Sequence, residues 1–202
     1  MQEGYKRLLN QINFIIEIDK LKEILRQNVV VSRTRQENDA EHTWHLAIMS
    51  VILSEYFIDS NLDITKVLKM ILIHDIVEIY AGDTFCFDQR PGVRELKKIN
   101  EQKSAKQIFD LLPPEQSCEY YNLWQEFENK SSPEAIFASC MDRFQPFLLN
   151  YNTEGHTWQM SGVNREMVRK RMCLLEEYMP QLWAYVEEAM EDSVRREILR
   201  DK

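Results

Sequence analysis

The segment from Ile64 to Tyr80 constrains this chain more than any other. Val67, Leu68, Met70, Ile71, Leu72, Ile73, Ile76 and Val77 make it apolar on most sides of a helical projection, which predicts a helix buried at the centre of a fold. Asp63 is a good N-cap and Gly82 a good terminator, so the predicted helix runs from Ile64 to about Tyr80. His74, Asp75 and Glu78 lie inside it, three and four positions apart, and can line one side. An ionised carboxylate in such surroundings is costly unless it is paired or bound to a metal. A His–carboxylate pair satisfied within the core is one answer; a metal site is the other.

The rest of the chain reads as helices around this one. Five Gly and six Pro in 202 residues leave too little turn chemistry for hairpins or a sandwich. With 44% hydrophobic and 29% charged residues, the chain can bury a real core. Leu8, Ile12, Ile15, Leu21 and Leu25 recur at helical steps and predict an amphipathic helix from Tyr5 to Arg26, followed by an extended loop at Asn28–Ser32. Further helices are predicted from Asp39 to about Ile58, Val93 to Leu112, Glu115 to Glu128 and Pro133 to about Asn150. After a loop holding Gly155 and Gly162, Asn164 caps a helix to Tyr178, and Pro180 starts the last one, to about Arg200. The expected architecture is one all-α domain, residues 1–202, of seven or eight helices with a buried central helix carrying His74-Asp75.

Charge and cysteines narrow the setting. The balance of 25 Lys+Arg against 33 Asp+Glu gives −8, which argues against a nucleic-acid polymer as partner but not against small phosphorylated ligands. No apolar run is long enough to span a bilayer, and the N-terminal stretch lacks the apolar region of a secretory signal. Cys86, Cys118, Cys140 and Cys173 are scattered, as expected of reduced thiols in the cytoplasm.

Two more polar residues join the buried pair. His42 opens the helix before it, and Asp142 interrupts the apolar run from Ala135 to Leu149. His42, His74, Asp75 and Asp142 together offer two imidazoles and two carboxylates, a set suited to one octahedral divalent ion: Mn²⁺, Co²⁺, Fe²⁺ or Mg²⁺. Without paired thiolates a structural zinc site is not expected.

The order H…HD…D, with the stretches Arg35-Gln36-Glu37-Asn38-Asp39-Ala40-Glu41-His42, His74-Asp75-Ile76-Val77-Glu78-Ile79-Tyr80-Ala81-Gly82-Asp83 and Asp142-Arg143-Phe144-Gln145-Pro146, resembles the HD superfamily of metal-dependent phosphohydrolases. It resembles more closely still the small stand-alone HD proteins that include bacterial 5′-deoxynucleotidases. The resemblance implies that His42, His74, Asp75 and Asp142 are the metal ligands. It implies that Glu78 is the acidic residue beside the attacking water and Asp83 a second active-site carboxylate. It also implies a phosphate-binding arginine upstream of His42, which falls on Arg26, with Arg35 as a second candidate or a partner for Glu41. Where those enzymes have Trp after the arginine, this chain has Gln27.

The activity implied is hydrolysis of (deoxy)ribonucleoside 5′-monophosphates to nucleoside and phosphate, by a homodimer. The alternatives are an HD enzyme for a triphosphate, cyclic nucleotide or alarmone, and a non-catalytic binding protein stabilised by its metal. A di-iron oxygenase would need further His ligands, and no His lies between His74 and His156. Trp44, Trp124, Trp158 and Trp183 are expected in the core rather than as base-stacking platforms. At the end of its predicted helix Arg26 is either a phosphate contact or a solvated helix end; as a phosphate contact, its replacement by Ala should leave the melting temperature and metal content nearly unchanged while kcat/KM collapses.

Overall fold

The computed structural model describes residues 2–87, 90 and 92–202. Eight helices of eleven or more residues are present among them: α1 (Gln2–Ile18), α2 (Asp39–Leu53), α3 (Ile64–His74), α5 (Val93–Phe109), α6 (Pro114–Asn129), α7 (Pro133–Asn152), α9 (Arg165–Tyr178) and α10 (Pro180–Arg195). Two short ones, α4 (Glu78–Ala81) and α8 (His156–Met160), complete the set. The chain is thus all-α as expected, apart from one small antiparallel pair, β1 (Leu25–Val29) with β2 (Gln36–Asn38), in the register Leu25↔Asn38 and Val29↔Gln36.

Most helix starts follow from their caps. The side chains of Asp63, Ser132 and Asn164 accept from the backbone N–H three residues on, and Pro follows Ser132 at the first helical position. α2 and α10 end about five residues earlier than expected, and three further differences matter more. The first helix stops at Ile18, passes through a 3-10 turn at Asp19–Glu23 and becomes β1, so Arg26 is a strand residue. The predicted Ile64–Tyr80 helix breaks: α3 ends at His74, Asp75 caps it at φ −95°, ψ −3°, and a turn leads into α4. The loop after α7 contains α8, which buries Trp158.

α3 packs against α2, α6 and α7 and serves two apolar clusters. Val67, Met70 and Ile71 join the larger one with Leu46, Phe137, Met141, Trp158 and Met172. Ile73 joins Ile76, Val77, Ile108, Phe109 and Trp124 in the smaller. His74 stands where the helix passes from one to the other. Trp124, Trp158 and Trp183 lie in these clusters as expected, but Trp44 does not: it is 65% exposed on the outer face of α2. Among the described residues no helix is long and apolar enough to cross a membrane, and all four cysteines are free thiols.

Candidate metal centre and cavity

Strand β1 and helices α3 to α9 border a cavity of about 190 Å³. Arg26, His74, Asp75, Glu78, Asp83 and Asp142 all line it. Local structure places the predicted ligands. Asn38 and Glu41 form a reciprocal capping box at the start of α2, which fixes the first turn and carries His42 inward to full burial. Asp75 is turned by the end of α3. Asp142 lies four residues before Pro146, which has no N–H to bond the Asp142 carbonyl, so α7 runs on with that intrahelical bond missing.

Both imidazoles are held from behind. His42 Nδ1–H donates to Gln145 Oε1 (2.9 Å), a carbonyl oxygen that can only accept, and His74 Nδ1–H donates to the Ile71 carbonyl (2.7 Å). Each Nε2 therefore faces the carboxylates. His42 Nε2 lies 3.3 Å from Asp142 Oδ1 and 3.8 Å from Asp75 Oδ2; His74 Nε2 lies 3.1 Å from Asp75 Oδ2 and 3.8 Å from Asp142 Oδ1. His74 Nε2 is buried and makes no hydrogen bond of good geometry. The His42 and His74 rings and Asp142 converge closely enough to hold a divalent ion, and the Asp75 carboxylate stands beside them.

The charges are strongly coupled. Burial pushes His42 down to about 4, and the Arg26 charge adds to this. Burial opposes charge on His74 too, but Asp75 and Asp142 outweigh it and hold its pKa well above the usual value. Burial likewise works against the Asp142 carboxylate, yet the His42 and His74 rings beside it and the Arg171 charge hold it well below the usual range.

A second acidic group adjoins the first: Asp39, Asp75 and Glu78. The Arg26 Nη1 bridges it, donating to Asp39 Oδ1 at 2.9 Å and Asp75 Oδ2 at 2.8 Å. Burial, then Asp75, raises Asp39 to about 6; burial, then Asp75 and Asp39, raises Glu78 well above an ordinary glutamate. With the helix broken at Asp75, Glu78 groups with Asp39 and Asp75 rather than sharing a helical face with His74.

Of the two predicted arginines, Arg26 enters the cavity and Arg35 does not. Arg35 is exposed and forks onto both oxygens of Glu41, at 2.7 Å each, so it braces the α2 cap. Sequence reasoning gave no role to Gln145, Glu37, Asp39 or Lys97. Gln145 is fully buried, holds His42, and donates through Nε2 to Glu37 Oε1 (2.6 Å), whose pKa burial raises to about 7. A polar residue three positions after Asp142 on one helix was the available signal. Lys97 Nζ, from α5, lies 3.2 Å from Glu101 and 4.0 Å from Glu78. His45 Nδ1 is 3.2 Å from the Gln145 amide, so it belongs to the same buried network.

This bracing gives a first prediction. Gln145→Leu keeps side-chain volume but removes the acceptor that orients His42. Metal affinity should fall roughly 10–100-fold, as for other partners behind a metal ligand. Titration with Co²⁺ followed by its absorption checks this, and unchanged affinity would show that His42 needs no such partner.

A family model described as an HD domain matches residues 18–183. A predicted metal-dependent phosphohydrolase from Magnetospirillum magnetotacticum MS-1 is 46% identical, superposes with a TM-score of 0.90 and aligns over 96% of both chains. The proteins called 5′-deoxynucleotidase HDDC2 of Bos taurus and Homo sapiens are each 30% identical, over 140 and 138 residues. These alignments cover 69% and 68% of this chain and 65% of each relative, so the chain spans just under two thirds of their length.

Proposed function

The chain belongs to the HD domain family, and on that premise we propose that it is a metal-dependent phosphohydrolase of nucleoside 5′-monophosphates, releasing nucleoside and phosphate. The observation that carries this is the joint presence, on one cavity wall, of His74, Asp75, Asp142 and the buried Arg26 guanidinium beside Asp75, with His42 Nε2 at 3.3 Å from Asp142. The relatives called 5′-deoxynucleotidases support the choice of substrate.

His42, His74, Asp75 and Asp142 hold the divalent ion in this reading. Bound there, it supplies positive charge that polarises the phosphoryl group and acidifies water. Arg26 neutralises and orients the phosphate, for which a planar guanidinium is well shaped. Glu78 orients the attacking water and takes its proton as oxygen bonds to phosphorus. Asp83 gives a proton to O5′ as the P–O5′ bond breaks. Phe85 and Phe87, edge to face at 5.6 Å on the same cavity, offer apolar surface to the base.

Phosphate release from ribo- and deoxyribonucleoside monophosphates, with Mn²⁺ or Co²⁺ added, tests the reading. Turnover of triphosphates or cyclic nucleotides alone would move it to another HD activity, and none at all would favour a binding protein. Within the scheme, Glu78→Gln should retain metal and fold while kcat falls roughly 10²–10⁴-fold. A wild-type kcat would pass the base role to Asp83.

The assembly we assign is a homodimer, in the cytoplasm, where the four free thiols stay reduced. Leu8, Ile12, Ile15 and Ile16 on α1, and Trp44, Ile48, Val51 and Ile52 on α2, are exposed at the i, i+4, i+7, i+8 spacing of a buried stripe. Light scattering should give twice the chain mass, and Ile12→Lys with Ile48→Glu should halve it. A monomeric wild-type chain at micromolar concentration would refute the assignment.

A further inference from the structure

The metal cluster occupies only part of the cavity wall. Lys130, Arg143 and Arg171 form another part, beyond Asp142. Arg171 pairs with Asp142 Oδ2 at 3.3 Å. The other two cations have no carboxylate within 4 Å among the described residues. Arg143 Nη1 donates to the Arg171 carbonyl (3.2 Å) and Lys130 Nζ to the Glu128 carbonyl (3.2 Å). Glu128 is the other acidic side chain of this wall, and its carboxylate is not paired with either. Three positive charges gathered on a cavity wall with one ion pair between them repel one another, and an anion in the cavity relieves that repulsion.

Lys130 adds an independent observation. It ends α6 at φ 53°, ψ 42°, in the left-handed region. Its N–H bonds Phe127 O (3.1 Å) and the Ser131 N–H bonds Glu126 O (3.3 Å), the paired closure that favours glycine at this position. A lysine here is strained relative to glycine. Backbone stability therefore does not favour lysine over glycine here, as it does not at Arg33, Glu154 and Glu197, but of the four Lys130 alone lines the cavity.

We propose that Lys130 and Arg143, with Arg171, form a second anion subsite in the catalytic cavity, so that the preferred substrates are nucleotides carrying a second phosphoryl group. The first phosphate sits at the metal and Arg26, and the second meets the cationic wall. This deepens the reading of the site as a nucleotide phosphohydrolase and rests on it for the nucleoside part alone. The second group can sit at the 3′ position or follow the first in a diphosphate, and both present the same tetrahedral dianion.

The test measures binding and turnover separately. On the Glu78→Gln protein with Mn²⁺, which slows hydrolysis, adenosine 5′-monophosphate, 3′,5′-bisphosphate and 5′-diphosphate are titrated by calorimetry. At least one two-phosphate ligand should bind about 10- to 100-fold more tightly than the monophosphate, as charge-assisted contacts imply. Adding Lys130→Gly and Arg143→Gln should erase that advantage and leave monophosphate affinity within about twofold. Lys130→Gly alone should raise Tm, by roughly 2–4 °C, while lowering the preference, a combination that a merely structural lysine cannot give. Equal binding of all three ligands, or a proportional loss for all three in the variant, overturns the subsite. Phosphate release by the wild-type protein from the monophosphate judges the nucleotidase reading by itself, whichever way the binding ratio falls.

Discussion

Arg26→Ala should damage the fold and the reaction together. The Arg26 side chain is 13% exposed, and its Nη1 is the cation between Asp39, which is fully buried, and Asp75. Removing one partner from a buried charge cluster leaves the others uncompensated, at a cost of about 3–5 kcal/mol. For a chain of this size that lowers Tm by roughly 10 °C. The silent Tm expected from sequence loses its premise, because the helix assumed to end at Arg26 is a strand that turns the residue inward. The kinetic loss is separate. A truncated charge-assisted contact to phosphate lowers kcat/KM by roughly 30- to several-thousand-fold. Arg26→Lys should restore much of the Tm, since one ammonium can sit between two carboxylates, but only part of kcat/KM, since it lacks the fork. A lowered Tm with wild-type kcat/KM would leave Arg26 a structural role only.

Replacing His42, His74, Asp75 or Asp142 by Ala should have the largest effect on catalysis. Loss of the ion's Lewis acidity removes several kcal/mol of transition-state stabilisation, about 10³-fold or more in kcat. The readout that needs no substrate is thermal. A ligand that binds only the folded chain stabilises it by about 2.7 kcal/mol at a hundred times its Kd. Mn²⁺ should therefore raise the Tm of the wild-type protein and leave that of Asp75→Ala unmoved. Stoichiometric metal in purified Asp75→Ala, by elemental analysis, would remove Asp75 from the ligand set. Asp75 is the most informative of the four because it stands between the two groups: Oδ2 faces His74 at 3.1 Å and Arg26 at 2.8 Å. Metal retained in Asp75→Ala but lost in Asp142→Ala would mean that the ion rests on His42, His74 and Asp142, the three that converge without it.

Much of this was legible in the sequence. Low glycine and proline content, helical periodicity and the caps at Asp63, Ser132 and Asn164 decide the all-α architecture, because they act within a few residues along the chain. The same holds for His74, Asp75 and Asp142: polar residues in apolar runs stand out without any knowledge of their neighbours. Tertiary structure decided which charges meet. Arg26 and Arg35 are both cations upstream of His42, but only the β1–β2 pairing directs one to Asp75 and leaves the other clamped to Glu41. The break at Asp75 is not written in local propensity either, since Ile76 and Val77 continue the apolar pattern; they leave the helix to fill the smaller core with Ile108 and Phe109. Gln145 behind His42, and the cationic wall of Lys130, Arg143 and Arg171, join residues far apart in the chain. Electrostatic and hydrogen-bond energies depend on distance in space, and for residues a hundred positions apart that distance is fixed only when the helices pack.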